Sequence, residues 1–505
     1  MLTVFLSAAL AASDGGVGLS VEFAPGALGD PGAAGAAAVE DPLLSGTTKD
    51  ADAGAVYYPP EALPDGGVTL GAHAIPFDAD AGFEEVDAGE PPSPVKIRGA
   101  AEAEVAVLPS GYGANGMDAF AVLRPVASFA VGEDFSVELG PTFRLRVVDT
   151  GPDNDDFGGV LRRPDWDEGS DFGQLIQSLR IAPDSSPFYV RGGFLRKKTL
   201  GHGHLINRYT NQGSEDYHPA YGNVVLVLGP VRSEFFASDI LGGRLFAGDV
   251  TLDLGRVFSS SPEVKDRYLV SFQLAHDAAR AGLPYRPDPN MDRIAMRQVT
   301  LLQVDGSAVV LRNSTLRLML VAGFGTRVDE RADIGFELGA AVDATVKEFG
   351  ISAKLEARRQ GGGFRQGYFG PTYELSRFSD VGFSSAPQAD ALLPGNFSFY
   401  GEFKLAVGTA ATIEVAAEYF LYDRTDLDST LNLNLLGSWL VGQARFSAIG
   451  LGQASRYHMN LGLRARLFKS FYLMGSGGTA FFPQPDGSLV RGVTASAGVG
   501  VDFER

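Results

Sequence analysis

Apolar and polar residues alternate along much of the chain with a period of two. In residues 411–421 one face of an extended chain is apolar and the other carries threonine and glutamate; the apolar members are Ile413, Val415, Ala417, Tyr419 and Leu421. Side chains on a β-strand point alternately to opposite faces, so the pattern predicts a strand with one apolar and one polar face. Residues 334–346 and 135–147 repeat it.

Long two-faced strands separated by turns are typical of a transmembrane β-barrel, whose tilted strands need about 9–11 residues each. The pattern predicts an all-β fold, a transmembrane antiparallel up-and-down β-barrel of 16 to 20 strands. The individual strands are predicted at 95–109, 118–130, 135–148, 172–182, 188–196, 222–229, 231–238, 244–257, 267–276, 297–304, 308–323, 332–346, 350–359, 396–407, 411–422, 429–436, 440–448, 457–467, 471–482 and 489–503.

The predicted connections alternate between tight and long. Tight ones include 131–134, 183–187, 229–230, 305–307, 347–350 and 469–470, and long ones include 149–171, 197–221, 277–296 and 360–395. Outer-membrane barrels have short periplasmic turns and longer outer loops, so we expect both termini in the periplasm. The acidic loop 149–171 is expected to be solvated, with divalent cations that bridge lipopolysaccharide as the alternative.

The first 93 residues differ from the rest. Residues 1–12 are apolar and end in small residues, with Ala9 and Ala11 as an Ala-x-Ala site, which predicts a signal peptide; an apolar strand is the alternative. Residues 13–93 are rich in Ala, Gly, Pro and Asp, which predicts a disordered periplasmic leader. The barrel is then expected to span residues 94–505.

Composition excludes several classes. The chain has no cysteine, and no uninterrupted apolar stretch has the roughly 20 residues of a membrane helix. The net charge is −19, and residues 13–93 hold 15 acidic residues against one lysine. Because the remainder is nearly balanced, a nucleic-acid partner is not expected.

Residues 95–505 resemble the porin-like superfamily of bacterial outer-membrane β-barrels. The last predicted strand carries this resemblance, since Val493, Ala495, Ala497, Val499 and Val501 alternate toward the aromatic Phe503, with Glu504 and Arg505 after it. The resemblance implies a location in the cell outer membrane, contact with its lipid and lipopolysaccharide, insertion by the barrel-insertion machinery, and a possible homo-oligomer.

The polar faces of the strands are expected to line a lumen, because arginine or lysine facing the lipid costs about 2–4 kcal/mol at the membrane midplane. The predicted pore-lining residues are Arg144, Arg146, Asp333, Glu337, Asp343, Lys354, Glu356, Arg358, Glu414, Glu418, Arg464 and Arg466. Two interpretations are open: these residues line a water-filled channel, or their charges pair across strands and hold a closed wall together. Aromatic girdles at the membrane interfaces are predicted to include Phe397, Phe399, Tyr400, Tyr419, Tyr422, Phe481 and Phe482.

Residues 197–221 carry the most distinctive candidate chemistry. The loop combines glycines with apolar and aromatic residues, which suits packing against an inner wall, so it is predicted to constrict the pore through His202, His204, Asn207, Arg208 and Tyr209. A zinc or copper site would use His202 and His204 with His218 or a carboxylate. The glycines favour a structured loop instead, and no metal or cofactor is predicted.

The sequence therefore predicts a porin-like channel for passive or substrate-selective diffusion of small hydrophilic solutes, and not an enzyme. The alternative is a non-conducting barrel with a structural, adhesive or surface-enzyme role.

Overall fold

The computed structural model describes residues 95–109, 116–150, 159–213, 215–278, 297–329, 331–379, 387–453, 455–483 and 489–504. The predicted signal peptide and leader, residues 1–12 and 13–93, lie outside the described residues. Within the described ranges the chain is mostly β-structure, with two short α-helices in connections, α1 (Leu254–Phe258) and α2 (Tyr373–Ser376). Three 3-10 helices cover Arg163–Asp165, Gly169–Leu175 and Pro262–Val264. No helix in these ranges is long and apolar enough to cross a membrane.

The strands form one antiparallel sheet that closes on itself. They are β1 (Val95–Pro109), β2 (Met117–Val131), β3 (Phe135–Leu139), β4 (Phe143–Val148), β5 (Ile176–Ile181), β6 (Phe188–Gly193), β7 (Tyr221–Leu228), β8 (Val231–Ala237), β9 (Leu245–Asp253), β10 (Tyr268–Asp277), β11 (Val299–Arg312), β12 (Leu316–Arg327), β13 (Ile334–Val346), β14 (Phe349–Gly362), β15 (Leu393–Val407), β16 (Ala411–Phe420), β17 (Arg424–Leu435), β18 (Leu440–Leu451), β19 (Arg456–Arg466), β20 (Phe471–Pro483) and β21 (Leu489–Glu504). Strands that are consecutive in sequence pair, except that β2 pairs with both β3 and β4 and that β5 pairs with β3; β1 pairs with β21.

β3 and β4 are two halves of one wall strand, because both pair with β2. Pro141 lies in the interruption and has no N–H to donate to a neighbouring strand. The N–H of Thr142 instead donates to Gln174 Oε1 at 3.3 Å. The wall therefore has 20 strands, within the predicted range, and the predicted fold class is confirmed.

One predicted turn is wrong. Asp305, Gly306 and Ser307 lie inside β11, which pairs with β10 and β12 through this segment. An Asp-Gly-Ser sequence is typical of a turn, but Asp305 and Ser307 are buried on the inner face, where Asp305 accepts hydrogen bonds from Gln273 and Gln303. The chain reverses at Asn313, whose Oδ1 accepts hydrogen bonds from the N–H groups of Thr315 and Leu316.

The two faces of the wall have opposite character. On adjacent strands Leu338, Leu355 and Phe399 are 66%, 59% and 54% exposed on the outer face. Their sequence neighbours Glu337 and Glu356 are buried inside. Because lipid offers no hydrogen bonds, a closed ladder with an apolar exterior is the form in which strands can cross a membrane.

This arrangement predicts a depth-dependent cost for charge on the outer face. Leu338→Arg, near the middle of β13, should destabilise the barrel by about 2–4 kcal/mol, whereas Val346→Arg at the end of the same strand should cost about 0–1 kcal/mol. The measurement is the urea dependence of folding into lipid vesicles. Equal costs at the two positions would show that the outer face does not contact lipid.

Candidate functional site in the barrel interior

Two long connections join each other within the described structure. The β6–β7 loop (residues 194–220) and the β14–β15 loop (residues 363–392) form a parallel bridge between Ile206 and Phe369. The N–H of Phe369 donates to the carbonyl of Leu205 at 3.0 Å, and the N–H of Asn207 donates to the carbonyl of Phe369 at 3.1 Å. The two loops therefore form one unit.

The apolar side chains of both loops pack against the inner wall. They share a buried cluster with inward residues of β8 to β11; its members are Leu195, Leu200, Leu205, Ile206, Tyr209, Phe236, Leu245, Ala247, Ala275, Val299, Leu301, Phe364, Tyr368, Phe369, Tyr373 and Ala389. Tyr209 donates a hydrogen bond to Glu374, and Tyr373 donates one to Asp277. Burial of apolar side chains drives this packing, and each phenol has a polar partner.

His204 links the β6–β7 loop to three wall strands. Its Nδ1 lies 2.8 Å from Asp305 Oδ1 on β11 and 3.2 Å from Glu337 Oε1 on β13. Its Nε2 lies 3.0 Å from Glu356 Oε1 on β14. Burial alone would lower the pKa of His204, but the carboxylates of Glu356 and Asp305 raise it to about 10. The imidazole ring of His204 is thus protonated and positively charged between these carboxylates.

Four residues after His204, Arg208 makes the second link. Its guanidinium donates to Asp428 Oδ2 on β17, with Nη2 at 2.7 Å and Nε at 3.0 Å. Glu402 and Glu414 lie 3.6 and 3.7 Å from its Nη1. Burial opposes the charge, yet Asp428 and Glu402 hold the pKa of Arg208 above its usual value. The two links tie one loop to strands from β11 to β17.

His202 and His218, the other proposed metal candidates, do not share this environment. Burial lowers the pKa of His202 to about 4, and its ring centroid lies 6.2 Å from that of His204. His218 Nε2 lies 3.4 Å from Asp165 Oδ1, in a different cluster. The potential partners of His204 are therefore carboxylates of the wall strands and not the other two histidines of the loop.

The acidic loop 149–171 was expected to be solvated, but in its described part, residues 159–171, two of the aspartates are buried. Asp165 is buried, and its Oδ1 accepts hydrogen bonds from Arg144 at 2.6 Å and Arg162 at 2.5 Å. These cations lower the pKa of Asp165 despite its burial. Burial raises the pKa of Asp171 to about 8. Arg144, predicted to line the pore, thus anchors an outer loop.

The remaining predicted pore-lining residues lie in several environments. Lys354, Arg358 and Glu418 belong to the network around Glu356, with Arg358 Nη1 3.1 Å from Glu418 Oε2. Arg464 and Arg466 approach Asp502 at 3.2 and 2.7 Å. Arg146 pairs with Asp118 and Asp149, and the more exposed Asp343 lies 3.8 Å from Arg317. Asp333 precedes β13 and accepts the N–H of Ile334.

Several interior residues were missed by sequence reasoning. Asp305 was assigned to a turn, and Asp428 fell just before the predicted start of its strand at 429. Glu402 lies two residues before Lys404 on β15 and therefore faces the same side of the wall, so the two-residue period could have identified Glu402 as an inward residue. Tyr400, Phe481 and Phe482 were assigned to the girdles but are buried, whereas Phe397, Phe399 and Tyr419 are exposed as predicted.

Small inward side chains lie in the middle of β21, whereas Tyr472 and Met474 on the neighbouring β20 are large and buried. β21 lies ten wall strands from β11 in either direction, and its inward residues include Thr494, Ser496 and Gly498. Ser496 Oγ lies 2.8 Å from Ser476 Oγ on β20. Charged inward residues are present again on β1 and β2, where Arg124 pairs with Glu102 and Glu104 at 2.6 and 3.2 Å. The interior is therefore asymmetric.

The fold is a closed 20-strand antiparallel up-and-down barrel with an apolar exterior. Among solved structures, the chain is similar to Pseudomonas aeruginosa OccK2 (OpdF) in complex with glucuronate, at 9% identity and a TM-score of 0.33, covering 81% of this chain and 97% of that one. It is also similar to P. aeruginosa OpdK with vanillate (8%, 0.31, 81% and 99%) and to a BenF-like porin from Pseudomonas fluorescens Pf-5 (8%, 0.33, 81% and 98%). No protein-family model and no curated protein matches the sequence.

The Arg208 link predicts a local loss of order. Arg208→Ala removes the cation beside Asp428, and breaking a buried ion pair costs about 3–5 kcal/mol. Hydrogen exchange and limited proteolysis should therefore become faster in residues 194–213, while the barrel stays heat-modifiable. Arg256→Ala, at a more exposed guanidinium in α1, is the control, with an expected effect within about 0.5 kcal/mol. Unchanged protection of the loop in Arg208→Ala would contradict the prediction.

Proposed function

We propose that the protein is an outer-membrane channel for passive or substrate-selective diffusion of small hydrophilic solutes, narrowed by the β6–β7 and β14–β15 loops. The observation that carries this proposal is the asymmetric interior. Loop contacts extend along the wall from β4, where Arg144 Nη2 lies 3.3 Å from Glu215 Oε2, to β19, where Arg456 donates to the carbonyl of Ser379 at 2.8 Å. The inward residues Thr494, Ser496 and Gly498 of β21 are small, so the proposed solute path runs beside β21.

The size of the barrel supports a channel. Barrels of 16 or more strands enclose an aqueous lumen unless loops or a further segment fill it. The wall is charged with both signs, and most of its charges are paired, as with Arg358 between Glu356 and Glu418. Paired charges give a polar path without a strong preference for one ion sign.

The same loops give the alternative some support. Their apolar cluster and their ion pairs resemble the interior of a folded domain, which would suit a barrel without a conducting pore. The two functions differ in one measurable property. The purified wild-type protein conducts ions across a planar bilayer if it is a channel and does not conduct if it is a barrel without a pore.

Removal of the loop contacts should widen the path. Replacing residues 200–210 with Gly-Ser-Gly deletes His204 and Arg208 and uncovers carboxylates on β11 to β17. Single-channel conductance should therefore rise, and the reversal potential in a KCl gradient should shift toward cation selectivity. A variant that conducts when the wild type does not would identify a plugged barrel. Unchanged conductance and selectivity would place the restriction elsewhere.

The proposed path can be tested from its other side. Ser496→Trp adds a large side chain on the inner face of β21 and should lower single-channel conductance by about half, because conduction depends on pore diameter. Val499→Trp, on the outer face of the same strand, is the matched control and should leave conductance unchanged. Equal conductance in the two variants would exclude a path beside β21.

A further inference from the structure

Three potential metal ligands converge at one point of the interior. His204 Nδ1 from the β6–β7 loop lies 2.8 Å from Asp305 Oδ1 and 3.2 Å from Glu337 Oε1, and one ligand atom from each residue lies within 4.8 Å of the others. All three residues are buried. Imidazole nitrogen and carboxylate oxygen are both ligands of zinc in proteins.

A glycine makes this convergence possible. Between β11 and β13 runs β12, and at Gly323 a Cβ atom would lie 1.8 Å from Glu337 Oε1 and 2.2 Å from Asp305 Oδ1. Both carboxylates therefore fold over Gly323, a position of β12 that has no side chain. Two adjacent carboxylates repel each other unless a cation lies between them.

Glu356, which faces the Nε2 atom of His204, also suits a role of His204 as a metal ligand. Nε2 faces Glu356, whose other oxygen accepts hydrogen bonds from Arg358 Nε at 2.9 Å and Nη2 at 2.6 Å. Lys354 Nζ lies 3.1 Å from Glu356 Oε1. A fixed carboxylate that accepts Nε2–H leaves the Nδ1 lone pair for a metal, which is the usual outer-shell arrangement of metal-bound histidines.

We propose that His204 Nδ1, Asp305 and Glu337 bind a divalent transition metal of the zinc type, with Glu356 as the positioning residue of His204. Tetrahedral zinc, with bonds of about 2.0–2.2 Å, requires ligand atoms about 3.4 Å apart. The observed 2.8 and 3.2 Å need only a small outward movement. The imidazole favours zinc over calcium or magnesium, which select oxygen ligands.

A fourth ligand is available nearby. Gln303 Nε2 donates to Asp305 Oδ1 and Glu337 Oε1, both at 2.7 Å. In this orientation the Oε1 atom of Gln303 is buried without a hydrogen-bond partner among the described residues. Rotation of the amide by half a turn would direct Oε1 at the metal; otherwise a water molecule completes the coordination.

Metal binding has a structural consequence. It would replace the proton on His204 with a divalent cation and join the β6–β7 loop to β11 and β13 by coordination bonds. If the proposed channel function holds, the metal fixes the loop in its narrowing position. The site itself depends only on the fold, so its test does not require conduction.

The test is calorimetric titration of Zn²⁺ into detergent-solubilised, chelator-treated full-length protein, with metal analysis for stoichiometry. The wild type should bind one zinc per chain. Asp305→Asn and Glu337→Gln, which keep the shape of each side chain, should each weaken binding at least tenfold. Glu356→Gln should weaken it by roughly 10–100-fold. Heat-modifiability confirms that each variant is folded.

Two histidine variants serve as controls. His202→Gln and His458→Gln should bind zinc as the wild type does, because neither ring contacts this carboxylate pair in the described structure. X-ray absorption of the zinc-loaded protein should show only nitrogen and oxygen ligands, with one imidazole. No zinc binding by the wild type would overturn the proposal. Binding lost in His202→Gln but kept in both carboxylate variants would also overturn it.

Discussion

Pairing between β1 and β21 is the interaction on which the rest of the structure depends. A membrane offers no hydrogen-bond partner to an open strand edge, so the first strand must pair with the last. Closure fixes an inside and an outside, and the period of two then assigns every wall residue to one of them. Leu338 and Glu337 are adjacent in sequence, yet Leu338 lies on the apolar exterior and Glu337 lies inside, beside His204 of the β6–β7 loop. The apolar exterior and the polar interior therefore have one cause.

A polar interior creates a second requirement, because charges removed from water must be compensated. The β6–β7 loop meets it with two cations four residues apart, His204 among the carboxylates of β11, β13 and β14, and Arg208 among those of β15 to β17. Its apolar residues pack with those of the β14–β15 loop against inward residues of β8 to β11. One segment thus combines burial of apolar surface with charge compensation, and this combination holds it against the wall.

The distribution of side-chain size links this arrangement to function. Large and charged residues occupy the wall under the loops, whereas serine, threonine and glycine line the middle of β21. Gly323 shows the same principle on a smaller scale, since its missing side chain leaves room for Asp305 and Glu337 to meet at His204. The proposed pore path and the proposed metal site both depend on where the chain has small residues.

The sequence by itself determined the fold class, the strand number range and most inward positions, because alternation is a local property that survives in any closed barrel. It also indicated an inward role for residues 197–221 from their apolar content. It could not identify Asp305, since an Asp-Gly-Ser segment has the same local signal in a turn and in a strand facing a polar lumen. It could have separated Tyr400 from Phe399, because neighbouring residues of a strand face opposite sides and Tyr400 has the same parity as Glu402. The partners of His204 and Arg208 come from strands about 100 to 220 residues further along the chain. Only closure of the barrel brings those strands together, so only the tertiary structure decided the site.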